Sequence, residues 1–470
     1  MIRNQSIKLN REKELAADVK DKVLSFPIVM LALVITSTFY VVPLARLDTF
    51  GTDMRLFDFV FAFFFLTVGL QAWPSVIGLI KTKNRLFWWS GMLLILVWLS
   101  MVVTVSTGGL GRLMPAIIRS IRFSAFILLG AYVVVFVDSK AKFKLILGVV
   151  FVNILVQALL SAAQRLGWVG TFYPGHILQM YGFHPVGTLS AHHKHIGVVM
   201  MLGLGVSLTL LRTIRNLLVR FLIVFAAGAM IAASVFAVSR TAWLGIGGIV
   251  LGYFLIHKTK SIGIIILVIV GLLIGLFAVD SLGFDVISVL EDDFNRVFTD
   301  RIQRAGFEGV AGPRLQIYET VPNRIRRNPW ILIIGTGFQN QSSFFFGSGA
   351  HNNFMHVWME LGVIGFFVYL GLLFQILRDL RAASKKLNDP LEQTLAQDTF
   401  AVFIGIILTM IVGETFWAQP AMQTMSAQIM ILVGLAVAPF YCTQDNEKDV
   451  ESANRPITFT PSKDLLPRKQ

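Results

Sequence analysis

HNNFMHVWMELGVIGFFVYLGLLFQIL, residues 351–377, is the stretch from which the fold follows. From Phe354 to Leu377 it is almost wholly apolar, which is long enough to cross a bilayer as one helix. His351 therefore stands where a membrane helix meets the aqueous surface. An imidazole held at a lipid surface points to chemistry on a lipid-borne substrate.

The rest of the chain repeats that pattern. Hydrophobic residues make up 55% of it and charged residues only 14%, and the mean hydropathy is +0.70, which excludes a soluble globule. Apolar runs fall near Val23–Ala45, Phe57–Ile80, Leu86–Val105, Met114–Val137, Phe143–Ala163, Ile196–Leu211, Phe221–Val238, Ala242–Ile256, Ile262–Val279, Phe354–Leu377, Phe400–Phe416 and Ala421–Phe440. The expectation is an all-α polytopic membrane protein of about twelve spans.

Lysine and arginine set the orientation, because short basic loops are retained on the cytoplasmic side. Lys81, Lys83 and Arg85 form one basic loop, followed by Lys140, Lys142 and Lys144, then Arg212, Arg215 and Arg220. Lys258 and Lys260 continue the alternation, then Arg378, Arg381, Lys385 and Lys386. With a basic segment at residues 1–22 and a polar tail after Cys442, both termini are expected in the cytoplasm. The formal charge of +14 then belongs to loops beside anionic lipid headgroups, and nucleic acid is not needed as a partner. One cysteine permits no intramolecular disulfide. The first apolar run lacks a small-residue cleavage pattern and reads as an uncleaved helix.

These signals divide the chain into a tail (1–22), a bundle of about nine spans (23–279) with an outer loop near 165–195, a large outer loop (280–350), a second bundle of about three spans (351–442) and a tail (443–470) expected to be disordered. The large loop, roughly seventy residues, is too long for a connector, so function is sought there. It reads as helices over Asp285–Arg304 and Pro313–Arg326, a strand-like Trp330–Ile334, and the stretch GTGFQNQSSFFFGSGA that delivers His351 to its helix.

His351, Asn352, Gly362 and Gly365 spell a His-[Asn/Ser/Gln]-x9-Gly-x2-[Gly/Thr/Tyr] motif, Arg240 and Leu244 an Arg-x3-Leu element, and Arg314 follows Gly312-Pro313. On these residues the chain resembles the O-antigen ligase and polysaccharide polymerase superfamily. The resemblance implies a GT-C-like glycosyltransferase in a bacterial inner membrane, with its active site on the periplasmic face. It also implies an undecaprenyl-pyrophosphate-linked glycan as donor, and either a lipid A core or a second lipid-linked glycan as acceptor. Relatives often carry arginine before a Gly-Thr in the first outer loop; here His184 stands before Gly187-Thr188.

The chemistry agrees with these residue types. Transfer from a lipid pyrophosphate needs a base for the acceptor hydroxyl, supplied by His351, and cations for the departing pyrophosphate, supplied by Arg240 and Arg314. A guanidinium stays charged and binds phosphate oxygens in pairs. Each assignment has a plainer competitor: His351 as a helix cap or interfacial residue, Arg240 in a buried ion pair, Arg314 as one surface charge among Arg324, Arg326 and Arg327. Arg119 and Arg122 lie roughly 9 to 14 Å inside the fourth span. There they are either pyrophosphate contacts, the assignment favoured for Arg122, or snorkelling cations. Asn352 and His184 support the site, Glu414 pairs with an arginine or orients His351, and Glu360 is expected to make an interhelical bond.

The cluster His192-His193-Lys194-His195 contains a lysine that would repel a metal, and Asp292 and Asp293 sit beside Arg296 and Arg301. No metal or other cofactor is expected, and no phosphate-binding glycine loop is present. Most tryptophans, among them Trp88, Trp89, Trp98, Trp168 and Trp417, read as interfacial. A flippase or exporter binding the same lipid is the competing class. It predicts paired half-repeats and broken helices near the midplane, and neither is expected from this sequence.

Overall fold

The computed structural model describes residues 24–41, 43–47, 52–81, 85–172, 186–189, 193–237, 240–257, 321–323, 325–340, 352–413, 415–417 and 424–453, with isolated positions 280, 288, 291 and 295. Helices α1 (Phe26–Ser37), α2 (Leu56–Phe64), α3 (Leu70–Lys81), α4 (Arg85–Gly108), α5 (Leu113–Phe136), α6 (Lys140–Arg165), α7 (His193–Thr213), α8 (Leu217–Phe236) and α9 (Arg240–His257) precede the large loop. A helical turn, α10 (Ile331–Ile334), leads from it to α11 (Asn353–Lys386), α12 (Pro390–Val412) and α13 (Thr424–Ala453). One antiparallel hairpin, β1 (Pro43–Leu47) with β2 (Thr52–Arg55), follows α1.

Among the described residues nine helices are long and apolar enough to cross a membrane, with α1 and Thr241–Ile256 as shorter apolar ones. The chain is thus an all-α polytopic membrane protein, while the expected span Ile262–Val279 lies outside the described residues. Expected and observed spans differ mainly at their ends. The first run stops at Ser37 and turns into the hairpin, and Trp330–Ile334 is a helical turn rather than a strand. No neighbouring strand takes up its amides; Ile333 and Ile334 donate to the Trp330 carbonyl instead, and Gly335, at φ 76°, ends the turn.

Small residues decide how closely the helices approach. A Cβ on Gly248 of α9 would lie 2.6 Å from Gly405 Cα of α12, and one on Gly252 would lie 2.5 Å from Ala401 Cα. Backbone-to-backbone contact of this kind replaces a hydrophobic drive that lipid tails cannot supply. Toward the basic-loop end, the buried Asp398 of α12 accepts from Arg212 of α7 at 2.7 Å and from the Tyr253 hydroxyl of α9 at 2.5 Å, which joins three helices through one carboxylate.

The opposite, outer end gathers the motif segment and the loops that pack on it. The Gly187-Thr188 turn is held there by two α6 side chains. Gln164 Oε1 accepts from the Val186 and Gly187 amides, and Gln157 Oε1 accepts from the Thr188 amide at 2.9 Å. His195 is buried at the start of α7 with Nε2 3.0 Å from Gln428 Oε1, so this member of the histidine cluster points into the bundle.

Candidate active site

The motif begins as a clamp. Asn352 is the N-cap of α11: its Oδ1 accepts from the Met355 amide at 3.0 Å, and its Nδ2 donates to the Ile411 carbonyl at the end of α12 at 2.9 Å. The next residue, Asn353, donates to the Tyr369 hydroxyl at 2.6 Å and accepts from the Thr415 amide at 2.8 Å. Consecutive asparagines thus tie the start of α11 to both sides of Gly413. His351 lies outside the described residues, but the peptide link holds its Cα about 3.8 Å from that of Asn352.

Arg240 opens α9, and the adjoining Thr241 packs against Gly413, where an added Cβ would come within 3.6 Å of Thr241 Cγ2. Chain neighbours of three candidate residues therefore converge on one place. Asn352 follows His351, Thr241 follows Arg240, and Gly413 precedes Glu414, and all three meet at the last turn of α12. The Arg240 side chain, and Glu414, His184 and Arg314 entirely, lie outside the described residues.

The motif's first glycine breaks the helix. Gly362 has φ 67° and ψ −170° inside α11, which frees the carbonyls of the turn before it. The loop after α10 fills the gap: the Thr336 amide donates to Met359 O at 2.8 Å and the Gly337 amide to Glu360 O at 2.9 Å. The fit leaves no room for side chains, since a Cβ on Gly335 would lie 2.2 Å from Glu360 O and one on Gly362 would lie 2.1 Å from Ile333 O. The far side of the loop rests on α4, where the Phe338 amide donates to Ser100 Oγ at 3.0 Å and Asn340 Nδ2 donates to Thr107 Oγ1 at 2.7 Å. Residues 335–340 and the motif helix are thereby joined into one unit.

Below that junction Glu360 makes two bonds, one to His356 Nε2 at 2.9 Å on its own helix and one from Trp417 Nε1 at 2.7 Å. The expected interhelical bond is met instead by the segment after α12. Trp417, expected at the lipid interface, is 1% exposed and packs against Phe123, Phe338 and Tyr369, because the chain beyond Gly413 folds back into the bundle. Trp88, Trp98 and Trp168 are exposed, whereas Trp89, also expected at the interface, is half-buried with its ring against Gly371 of α11.

Two arginines of α5 differ sharply. The Arg122 fork grips Asp58 of α2, Nε to Oδ1 at 2.7 Å and Nη2 to Oδ2 at 2.6 Å, and also reaches the Asp53 carbonyl. With side-chain exposures of 4% and 13% this is a buried pair, and Arg122 could meet a phosphate only if it opened. Arg119, one turn nearer the outer end, has no hydrogen-bond partner among the described residues, and its Nε is buried. Glu360 acts on it electrostatically as the opposite charge, with Arg112 and Arg122 as like charges.

Sequence reasoning missed His356, Asp58 and the burial of Trp417. A signal existed for the first two: His356 is four residues before Glu360 on one helix, and Asp58 is a lone acid at the outer end of an apolar span.

The O-antigen ligase family model matches residues 225–370, which contain Arg240, Arg314, the Gly335 loop, His351 and both motif glycines. Comparison with curated proteins returns no match.

Proposed function

We propose that this chain, a member of the O-antigen ligase superfamily, is an inner-membrane glycosyltransferase. It moves a glycan from undecaprenyl pyrophosphate to an acceptor sugar hydroxyl at the periplasmic face. The observation that carries this reading is the convergence at the last turn of α12, where the chain neighbours of His351, Arg240 and Glu414 are bonded or packed together. A base and a phosphate-binding cation starting from those positions would serve one reacting centre.

In the proposed reaction His351 takes the proton of the acceptor hydroxyl, and the oxygen attacks the anomeric carbon. The bond from that carbon to the pyrophosphate oxygen breaks, and the polyprenyl pyrophosphate leaves with the bonding electrons. Arg240 and Arg314 stabilise the charge that develops on it. One displacement inverts the anomeric configuration. The bond to pyrophosphate supplies the driving force, and the chain's own groups supply the base and the counter-charge. The docked loop and broken helix support the reading because a site held on rigid elements keeps the base and cations in register.

The acceptor separates ligase from polymerase, and the ligase-like reading follows the motif. Purified protein incubated with the polyprenyl-linked repeat alone should leave it unchanged until a lipid A core acceptor is added. A ladder of longer lipid-linked chains without acceptor would establish a polymerase. No transfer with either acceptor, together with movement of the lipid-linked glycan across proteoliposomes, would replace the enzyme with a transporter.

A further inference from the structure

Resting on the donor proposed above, we infer that Arg119 binds a phosphate oxygen of the lipid-linked donor. Three arginines lie at the outer end of α5, Arg112 just before it and Arg119 and Arg122 on it, and two are accounted for. Arg112 is exposed, and Arg122 is held by Asp58 and the Asp53 carbonyl. Arg119 has no hydrogen bond among the described residues although its Nε is buried.

Among the described residues the one acid that reaches Arg119 electrostatically is already engaged. Glu360 uses Oε1 for His356 and Oε2 for Trp417. Arg119 is half-buried on a membrane-spanning helix beside two like charges, with its Nε buried and unbonded, and a guanidinium with five donors in that setting favours an anion.

Position favours a lipid-borne anion. Phe123, four residues on and so on the same face of α5, packs on Phe338 and Trp417 with ring centroids 5.5 and 5.0 Å away. Arg119 therefore stands one turn outward of that aromatic floor, on the side where Glu360 and Trp417 are joined. At 1.5 Å per residue its Cα lies about 9 Å along the helix from Leu113. A diphosphate carried by a membrane-embedded chain enters at that depth more readily than a free ion from water.

The test is calorimetric binding of farnesyl diphosphate to the purified full-length protein in detergent, with inorganic pyrophosphate as a second probe. Arg119→Gln should weaken farnesyl diphosphate at least about 10-fold, and Arg119→Lys should be intermediate because a point charge lacks the paired donors. Wild-type affinity in Arg119→Gln would overturn the inference. So would recovery of binding in Arg119→Gln/Glu360→Gln, which would reveal a structural ion pair. Inorganic pyrophosphate bound as tightly as farnesyl diphosphate, with the same dependence on Arg119, would overturn the lipid-linked assignment. Failure of the wild type to bind farnesyl diphosphate would overturn the donor proposed above and this contact with it. Thermal unfolding followed by tryptophan fluorescence separates loss of binding from loss of fold, and weakened binding in a variant with a wild-type midpoint supports the inference.

Discussion

Replacing Gly362 with alanine should detach the large loop from the motif helix. At φ 67° an L-residue costs about 1–2 kcal/mol relative to the right-handed region. Its Cβ would stand 2.1 Å from Ile333 O, a backbone atom that cannot rotate away, so the two segments must part. Parting them breaks the Thr336 amide bond to Met359 O and the Gly337 amide bond to Glu360 O, each worth about 0.5–1.5 kcal/mol net. The total is about 2–5 kcal/mol of docking energy. The assay is amide hydrogen exchange in detergent, read at Thr336 and Gly337. Their exchange should quicken by about 30-fold or more, since each 1.4 kcal/mol is about a factor of ten. Gly335→Ala meets the same contact from the other side, 2.2 Å from Glu360 O, and should act alike. Gly247→Ala, where a Cβ meets nothing within 4 Å, should leave the loop protected. Wild-type exchange at Thr336 and Gly337 in Gly362→Ala would refute the reasoning.

Asp58→Leu leaves Arg122 buried without its carboxylate and should lower stability by about 3–5 kcal/mol, whereas Asp58→Leu/Arg122→Met should recover most of it; chemical unfolding in detergent measures both. Arg240→Lys and Arg314→Lys should each lose most transfer activity while remaining inserted, and full activity in both would reduce them to general charge. At the basic-loop end Asp389 titrates below the usual carboxylate range: partial burial opposes ionisation, but the Lys140 ammonium and the Glu392 and Leu391 amides outweigh it. A depressed folded value stabilises the protein above the unfolded value and is lost as pH falls through the folded one. The stability gap between wild type and Asp389→Asn should therefore close on acidification, and a pH-independent gap would exclude the ion pair as its source.

The helical spans were legible because span length is a sequence-local quantity. A run from Phe354 to Leu377 must cross, and the basic loops alternate with the helices that follow them. The break at Gly362 was not legible, since apolar periodicity runs straight through it and only the docked loop, more than twenty residues earlier in the chain, makes an interrupted helix favourable. Asn352 could be read as a motif member, but its role as a cap bonded to Ile411 depends on where α12 ends. Trp417 misled because an aromatic near a helix end normally marks the interface, and here the chain turns inward after Gly413. The Arg122–Asp58 pair joins residues 64 apart, beyond any local pattern, although a buried arginine implied an acid somewhere.

The central claim is that His351 is the base for transfer from a lipid-linked pyrophosphate donor. The most direct measurement is the transfer rate of reconstituted wild type and His351→Ala with the polyprenyl-linked glycan and its acceptor, with donor binding measured in the same preparations. The account predicts an intact, donor-binding variant whose transfer rate is lower by about 100-fold or more, the usual worth of a positioned general base. Wild-type transfer by His351→Ala would contradict it.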